Sequence, residues 1–353
     1  MIPGERGQER PAAEATGAYA WHDKGRAVLA AWRRPLKYGA TLFLAICLNF
    51  FLPRLMPGDP LALVAGNAVR QMGADKIAAL RAAYGLDAPL GRQFLLYLGQ
   101  LARGDLGQSY RYSGGRSVLQ VLGEHFTWTL LLVLVSLTLA VSIGCSLGAW
   151  SAWRHGRKSD LGLVTLFFAL RSVPSFWLAM LLIPVFAVGL GWLPVGDSYS
   201  FPRLEGWAGV VDIARHAVLP VTVLTLAYVP SAFAIMRTSM LGEIGADYIR
   251  TARAKGVPER LVLYRHALRN ALLPVVTLIA IDLGQLLGGV VLIETVFNYR
   301  GLGSMMFEAV KSRDYPLLQG GFLLFTIVIL TLNLIVDVAY ERLDPRVRRN
   351  RTE

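Results

Sequence analysis

An all-α membrane fold with six transmembrane helices is what this 353-residue sequence predicts, and three features predict it. Its composition is 54% hydrophobic, above what a soluble domain of this size uses for its core. The apolar residues gather into six runs long enough to cross a bilayer as helices. The N-terminal tail, the 153–160 turn, the 240–274 stretch and the C-terminal tail together hold more than half of the 36 lysines and arginines, the distribution expected when basic residues stay on the cytoplasmic side. The net charge of +12 is then a property of cytoplasmic loops and needs no nucleic acid to explain it.

Taken in order, residues 1–35 are rich in Ala, Gly, Pro and charge and lack the periodicity of a core, so they read as a cytoplasmic N-terminal tail. Residues 36–56 are transmembrane helix 1, an uncleaved anchor because no small-residue cleavage site follows it. The cluster Pro57-Gly58-Asp59-Pro60 marks the exit from the bilayer. Residues 57–123 form a small helical extracytoplasmic lobe, with one helix from about Ala74 to Tyr84 and a second from Pro89 to about Arg103, before Gly104. Residues 124–340 carry spans 2–6: 126–152, 161–190 (with Arg171, Pro174 and Pro184 inside), 216–236, 274–297 and 319–340. Residues 153–160 are a basic turn, 191–215 a Gly/Pro/aromatic loop, 298–318 a loop, and 341–353 a basic cytoplasmic tail. Six spans place both termini on one side, and the short basic loops make that side, together with residues 240–274, cytoplasmic.

The stretch 240–274, MLGEIGADYIRTARAKGVPERLVLYRHALRNALLP, is polar between apolar neighbours and reads as two short helices. The first runs from about Glu243 to Lys255, with acids early (Glu243, Asp247) and bases late (Arg250, Arg253, Lys255), the order a helix dipole favours. Gly256 suits the left-handed position just past its end, and Pro258 forbids continuation. Pro258 then opens a second helix whose Leu261, Tyr264, Leu268 and Leu272 recur at helical spacing before Pro274.

No catalytic constellation accompanies these elements. The five histidines show no pair at helical metal-ligand spacing. Gly156-Arg157-Lys158-Ser159 lacks the loop and strand of a phosphate-binding motif. Cys47 and Cys145 both lie in apolar spans and read as packing residues. Catalytic, metal and cofactor sites are therefore not expected. Ionisable residues within spans are the remaining candidates. Arg171 and Asp337 lie within snorkelling reach of an interface. Asp282 sits deeper, with Gln285 and Gly288 on the same span, where it either lines a polar pathway or makes an interhelical hydrogen bond. An ion-coupled secondary transporter or channel would use such a carboxylate, although neither an inverted repeat nor a matched pair of broken helices is visible.

DYIRTARAKGVPERLVLYRHALRNALLP resembles the cytoplasmic signature (EAA) loop of permease subunits in bacterial binding-protein-dependent ATP-binding-cassette importers, and more narrowly their dipeptide/oligopeptide/nickel branch. PGDP after the first span, GLDAPL and GDLG in the lobe, PSFWLAMLL in the third span, ETVFNYRGLGSMMFEAVKSRDYPLLQG and LDPRVRR agree with it, so the resemblance covers about 36–348. It departs from the general signature in having Arg250, Thr251 and Ala252 where Glu-Ala-Ala is usual, and in EHFTWTL where a proline is common.

The resemblance implies a permease subunit in the bacterial cytoplasmic (inner) membrane, importing peptides or similar small solutes. ATP would be hydrolysed by separate cytoplasmic ATP-binding subunits, so the chain itself is not expected to be an enzyme. The other implied partners are a second homologous permease subunit, an extracytoplasmic substrate-binding protein and membrane lipid. The coupling helix that docks on the ATPase would comprise Asp247, Tyr248, Arg250, Thr251, Ala252, Arg253, Ala254, Lys255 and Gly256. Small Ala252 and Ala254 would permit close approach, and the bases would supply charge complementarity. The outer loops would receive the binding protein, with Tyr110, Tyr112, Trp192, Tyr199 and Trp207 as aromatic contacts.

Overall fold

Eleven helices hold most of the described residues. The structure is a computed structural model describing residues 36–51, 73–83, 88–109, 116–312 and 314–343. The expectations for 1–35, the Pro57–Pro60 turn and the basic tail beyond 343 lie outside that set. The first helices are α1 (Leu36–Phe51), α2 (Ala74–Ala83), α3 (Leu90–Ala102) and α4 (Val118–Trp153). Then come α5 (Lys158–Arg171), α6 (Ser175–Leu182, continuing as a π-helical segment Ile183–Gly189), α7 (Gly206–Ile244) and α8 (Asp247–Ala254). A helical turn at Glu259–Leu261 and a π-segment at Val262–Ala267 lead into α9 (Leu268–Val296). The chain closes with α10 (Leu302–Ser312) and α11 (Tyr315–Leu343).

Among the described residues, α4, α7 and the Tyr315–Ile335 part of α11 are long and apolar enough to cross a membrane, and the α5–α6 pair makes a fourth if counted as one bent span. Residues 161–190, expected as one span, bend by 95° between α5 and α6. Pro174 is the reason: it lacks an N–H and disfavours helix in the residue before it, and it takes the N-cap position of α6. Pro184 then sits at the start of the π-segment, where its missing donor is absorbed by the wider hydrogen-bond register.

Three further expectations need correction. Helix α7 runs well beyond 216–236 and keeps Pro220 and Pro230 inside it, because close helical neighbours tolerate the missing hydrogen bonds. Pro274 likewise lies within α9, so the second helix of the 240–274 stretch and the fifth span are one element. The 298–318 loop contains α10. The second helix expected within 57–123, by contrast, lies close to its expected bounds, with Pro89 at its N-cap and a left-handed Gly104 just past its end.

Helices α4 and α7 form the spine. They approach closely at Gly144 and Gly148, four residues apart and hence on one face. A Cβ at Gly144 would lie 2.6 Å from that of Ala232, and one at Gly148 would lie 2.7 Å from the carbonyl oxygen of Phe233. At one end of this seam, the buried carboxylate of Asp160 fastens α5 to α7. Arg237 donates to it from Nε at 2.8 Å and from Nη2 at 2.9 Å. Ser151 of α4 and the backbone N–H of Gly156 also donate to it. This donor set, led by Arg237, holds the Asp160 carboxyl far below the usual carboxylate range.

The opposite end carries a second clasp. Buried Glu294, near the end of α9, accepts hydrogen bonds from Thr129 of α4 at 2.6 Å and from the backbone N–H groups of Gly303 and Ser304 at 2.7 and 3.1 Å. The carboxylate thus supplies orphan N–H groups of α10 with a negative partner. Gly301 is required beside it, since a Cβ there would lie 1.9 Å from the Glu294 carboxyl carbon. Elsewhere, Asn49 of α1 and Gln319 of α11 exchange amide hydrogen bonds with each other's backbone carbonyls, at 2.8 and 3.0 Å.

Candidate functional site

The polar hairpin resolves into α8 and the broken start of α9. Its first helix begins later than expected. Glu243 still belongs to α7, the chain breaks at Gly245-Ala246, and α8 spans only Asp247–Ala254, with no side-chain cap at its N-terminus. Its other end follows the expected design. Gly256 has φ +76°, its N–H donates to Arg253 O at 2.9 Å, and that of Val257 donates to Ala252 O at 3.2 Å. This is a glycine-terminated helix end, and Pro258 N-caps the next turn.

An eight-residue helix is not stable alone; α8 is held by its seat. Ile249 has 0% exposure and Ala252 9%, and both join a cluster with Ala152 of α4, Met236 and Met240 of α7, and Val262, Ala267, Ala271 and Val275. Tyr248 is the polar pin beside it. Its hydroxyl donates to Glu243 of α7 and accepts from Asn270 Nδ2 at 3.0 Å. Burial and the Glu243 carboxylate push that hydroxyl's pKa up. Arg253 turns back on the fold as well, donating from Nε to Glu259 at 3.0 Å with its guanidinium 5.7 Å from the Trp153 ring centroid.

These contacts divide the expected coupling residues. Ala252 faces the chain's own core, whereas Ala254 is exposed. The reason is register, because Ile249 and Ala252 are three residues apart on one helix face. Asp247, Arg250, Thr251, Ala254, Lys255 and Gly256 form the outer surface. The side chains of Asp247 and Arg250 are 98% and 74% exposed, with 3.5 Å between their charged atoms, a pairing worth little in water. Tyr248 and Arg253 tie that surface down. The apolar spacing of Ile249 and Ala252 was the only signal of an inward face, and two small positions do not stand out from a cationic stretch.

The pathway candidates lie on α9. Asp282, 5% exposed, is the central residue of this 29-residue helix. Gln285 and Gly288 also lie on α9, and their surroundings, like those of Asp337, are outside the described residues. Arg171 is exposed at the C-terminal end of α5, where the helix pair bends. Of the aromatic residues expected on the outer loops, Tyr110 and Tyr112 lie outside the described residues, and Trp192 and Trp207 are exposed. Tyr199 is flanked by the guanidiniums of Arg203 and Arg300, 5.2 and 4.7 Å from its ring centroid. No group of three or more metal-ligating side chains occurs among the described residues.

A family model described as binding-protein-dependent transport system inner membrane component matches residues 144–349, which include Asp160, Glu294 and the whole hairpin. The chain is 36% identical over 334 residues to the di/tripeptide transport system permease protein of Pseudomonas aeruginosa, with 90% of this chain and 96% of that protein covered. It is 39% identical over 309 residues to the glutathione transport system permease protein of Pectobacterium atrosepticum, covering 87% and 95%. An inward-facing structure of the MetNI methionine ABC transporter has the same fold over 64% of this chain and 97% of its own, with a TM-score of 0.53 at 18% identity. These likenesses give no support to an ion-coupled transporter or a channel. A polytopic helical chain with the signature hairpin, matched over more than half its length by the family model, belongs to the inner-membrane permease components of binding-protein-dependent ABC importers.

Proposed function

We propose that this permease moves peptides or peptide-like solutes inward, driven by ATP hydrolysed in separate cytoplasmic subunits, with α8 as the element that receives their motion. The observation that carries the reading is the two-faced seating of α8. One face is locked into the α4–α7–α9 cluster through Ile249 and Ala252, and the other presents Asp247, Arg250, Thr251, Ala254 and Lys255 outward. A helix so held passes displacement to the bundle, whereas a free loop would absorb it. The exposed bases suit an acidic cleft on a partner. The peptide cargo is supported by the named specificities of the relatives from P. aeruginosa and P. atrosepticum.

In this reading α1, α4, the bent α5–α6 pair, α7, α9 and α11 are the six spans, and both termini lie in the cytoplasm with α8. The permease domain is 124–340, the coupling loop 240–274, and the helical segment between spans 1 and 2 forms an outer lobe at 57–123. A second homologous permease completes the pathway within the lipid, and a substrate-binding protein delivers cargo to the outer face. The direct test is reconstitution with the ATP-binding subunits and the binding protein. Arg250→Glu combined with Lys255→Glu should leave the chain in the membrane while abolishing binding-protein-stimulated hydrolysis and uptake. Normal stimulation in that double variant would refute docking through this face.

A further inference from the structure

The ends of α7 and α9 that lie away from α8 along each helix are joined by a small polar platform. Its loop, 196–200, is fastened to the α9–α10 junction by three hydrogen bonds. The N–H of Asp197 donates to Phe297 O at 2.8 Å, Asn298 Nδ2 donates to Asp197 Oδ1 at 2.6 Å, and the N–H of Arg300 donates to Ser198 Oγ at 2.9 Å. Gly196 makes the approach possible, since a Cβ there would lie 2.4 Å from Phe297 O. The loop is also tied to α7, where Asp212 accepts from the backbone N–H and the hydroxyl of Ser200, both at 2.7 Å. Tyr199 stands between these ties in sequence, with its ring centroid 5.9 Å from that of Trp128 of α4.

Two arginines from different segments rest on that one ring. The guanidinium of Arg203 is 5.2 Å and that of Arg300 4.7 Å from the Tyr199 centroid. Contact with an aromatic face holds a guanidinium in place and leaves its N–H donors free. Neither guanidinium has an ion-pair or hydrogen-bond partner among the described residues, and both residues are exposed. The platform's own carboxylates, Asp197 and Asp212, are engaged by Asn298 and Ser200. Arg203 also borders an open depression of about 380 Å³ at the start of α7, whose other walls include Leu204, Glu205, Val210 and Ile213. In the same segment Phe201 and Trp207 are 93% and 79% exposed.

Exposed Arg, Tyr and Trp beside a depression are the composition of a protein-binding hot spot. A lipid surface asks only for basic and apolar side chains in some arrangement. Here the cations are fixed by a loop tied to two helix ends, and such preorganisation favours a partner of fixed shape. We propose that Arg203 and Arg300, set on Tyr199, form a docking surface for an acidic patch of the substrate-binding protein. Carboxylates of the partner pair with the two guanidiniums while one of its apolar side chains enters the depression beside Arg203. Tyr199 is a positioning residue whose ring, and not its hydroxyl, holds the cations. This inference rests on the importer reading above, which places this end of the bundle outside.

The test uses the complete transporter in proteoliposomes, with ATP hydrolysis followed as the binding protein is titrated. Arg203→Glu and Arg300→Glu should each raise the half-saturating concentration of binding protein about tenfold or more while the rate at saturation is kept. Added salt should weaken docking in the parent and have much less effect in the double variant. Tyr199→Phe should behave as the parent, and Tyr199→Ala should lose both the affinity and its salt dependence. An unchanged half-saturating concentration in both glutamate variants overturns the docking surface. A defect that appears in vesicles containing phosphatidylglycerol and vanishes in phosphatidylcholine alone assigns the cations to lipid headgroups and also overturns it. So does failure of the glutamate variants to assemble with the ATP-binding subunits, if Arg203→Gln and Arg300→Gln assemble and dock as the parent does. If no binding protein stimulates the parent, the importer reading itself fails, a result distinct from parental stimulation with indifferent variants.

Discussion

Replacing Ile249 by alanine tests whether α8 must be rigidly seated to work. The side chain is fully buried among Met236, Met240, Val262 and Ala267, and its truncation removes three carbons from a packed site. Large-to-small changes of this kind destabilise by about 2–4 kcal/mol. Because an eight-residue helix has little stability of its own, that loss falls on the seating of α8. The balance between seated and unseated α8 should shift by about thirtyfold or more. Hydrogen exchange read by mass spectrometry should show faster exchange at 247–256 with α4 and α7 unaffected. In the reconstituted transporter, uptake per ATP should fall more steeply than complex assembly. Faster exchange combined with full coupling would refute the argument, since it would show that displacement passes through α8 without its seat.

Other perturbations probe the clasps. Asp160→Asn strands Arg237 beside a half-lost partner set and should lower thermal stability by about 2–4 kcal/mol, while Asp160→Leu with Arg237→Met should be milder. Pairing lowers the folded-state pKa of Asp160, so its contribution is full above the unfolded-state value near 3.9 and is lost as pH falls below it. Melting midpoints of the parent and Asp160→Asn should therefore differ by a constant amount from pH 8 to about pH 5 and converge in stronger acid. Gly301→Ala forces a methyl group into the Glu294 carboxylate and should destabilise the α9–α10 junction by about 1–3 kcal/mol, visible as faster hydrogen exchange in α10. Gly256→Ala must hold an L residue at φ +76°, which costs about 1–2 kcal/mol, and should loosen the α8 terminus without changing its buried face.

What could be read from the sequence was local. Pro89 and Gly104 bracket α3, and Gly256 with Pro258 ends α8, because each residue acts on its own backbone and needs no neighbour. Proline was also where local reasoning misled. Pro174 breaks its span, whereas Pro220, Pro230 and Pro274 sit inside continuous helices, and only the packing around each decides between those outcomes. The inward turn of Ala252 and the role of Tyr248 depend on α4, α7 and α9 arriving together at one place. Glu294 stood in a motif tied to the family, but its partners Thr129 and Gly303 lie on two other helices. The family was legible from ordered motifs, while the division of the hairpin into a bound face and a free one was not.

The unbroken course of α9 through Pro274 has a mechanical consequence. From Leu268, beside Tyr248 and Ala271, to Val296, beside Glu294, it is one rod of 29 residues, about 43 Å long. A tilt of about 5° at the α8 end would sweep the far end through about 4 Å over that length. Because Glu294 grips the start of α10, that helix would travel with the rod as a single body. A small push at the α8 end would thus arrive at the α10 end as a displacement the size of a side chain, amplified by lever arm alone.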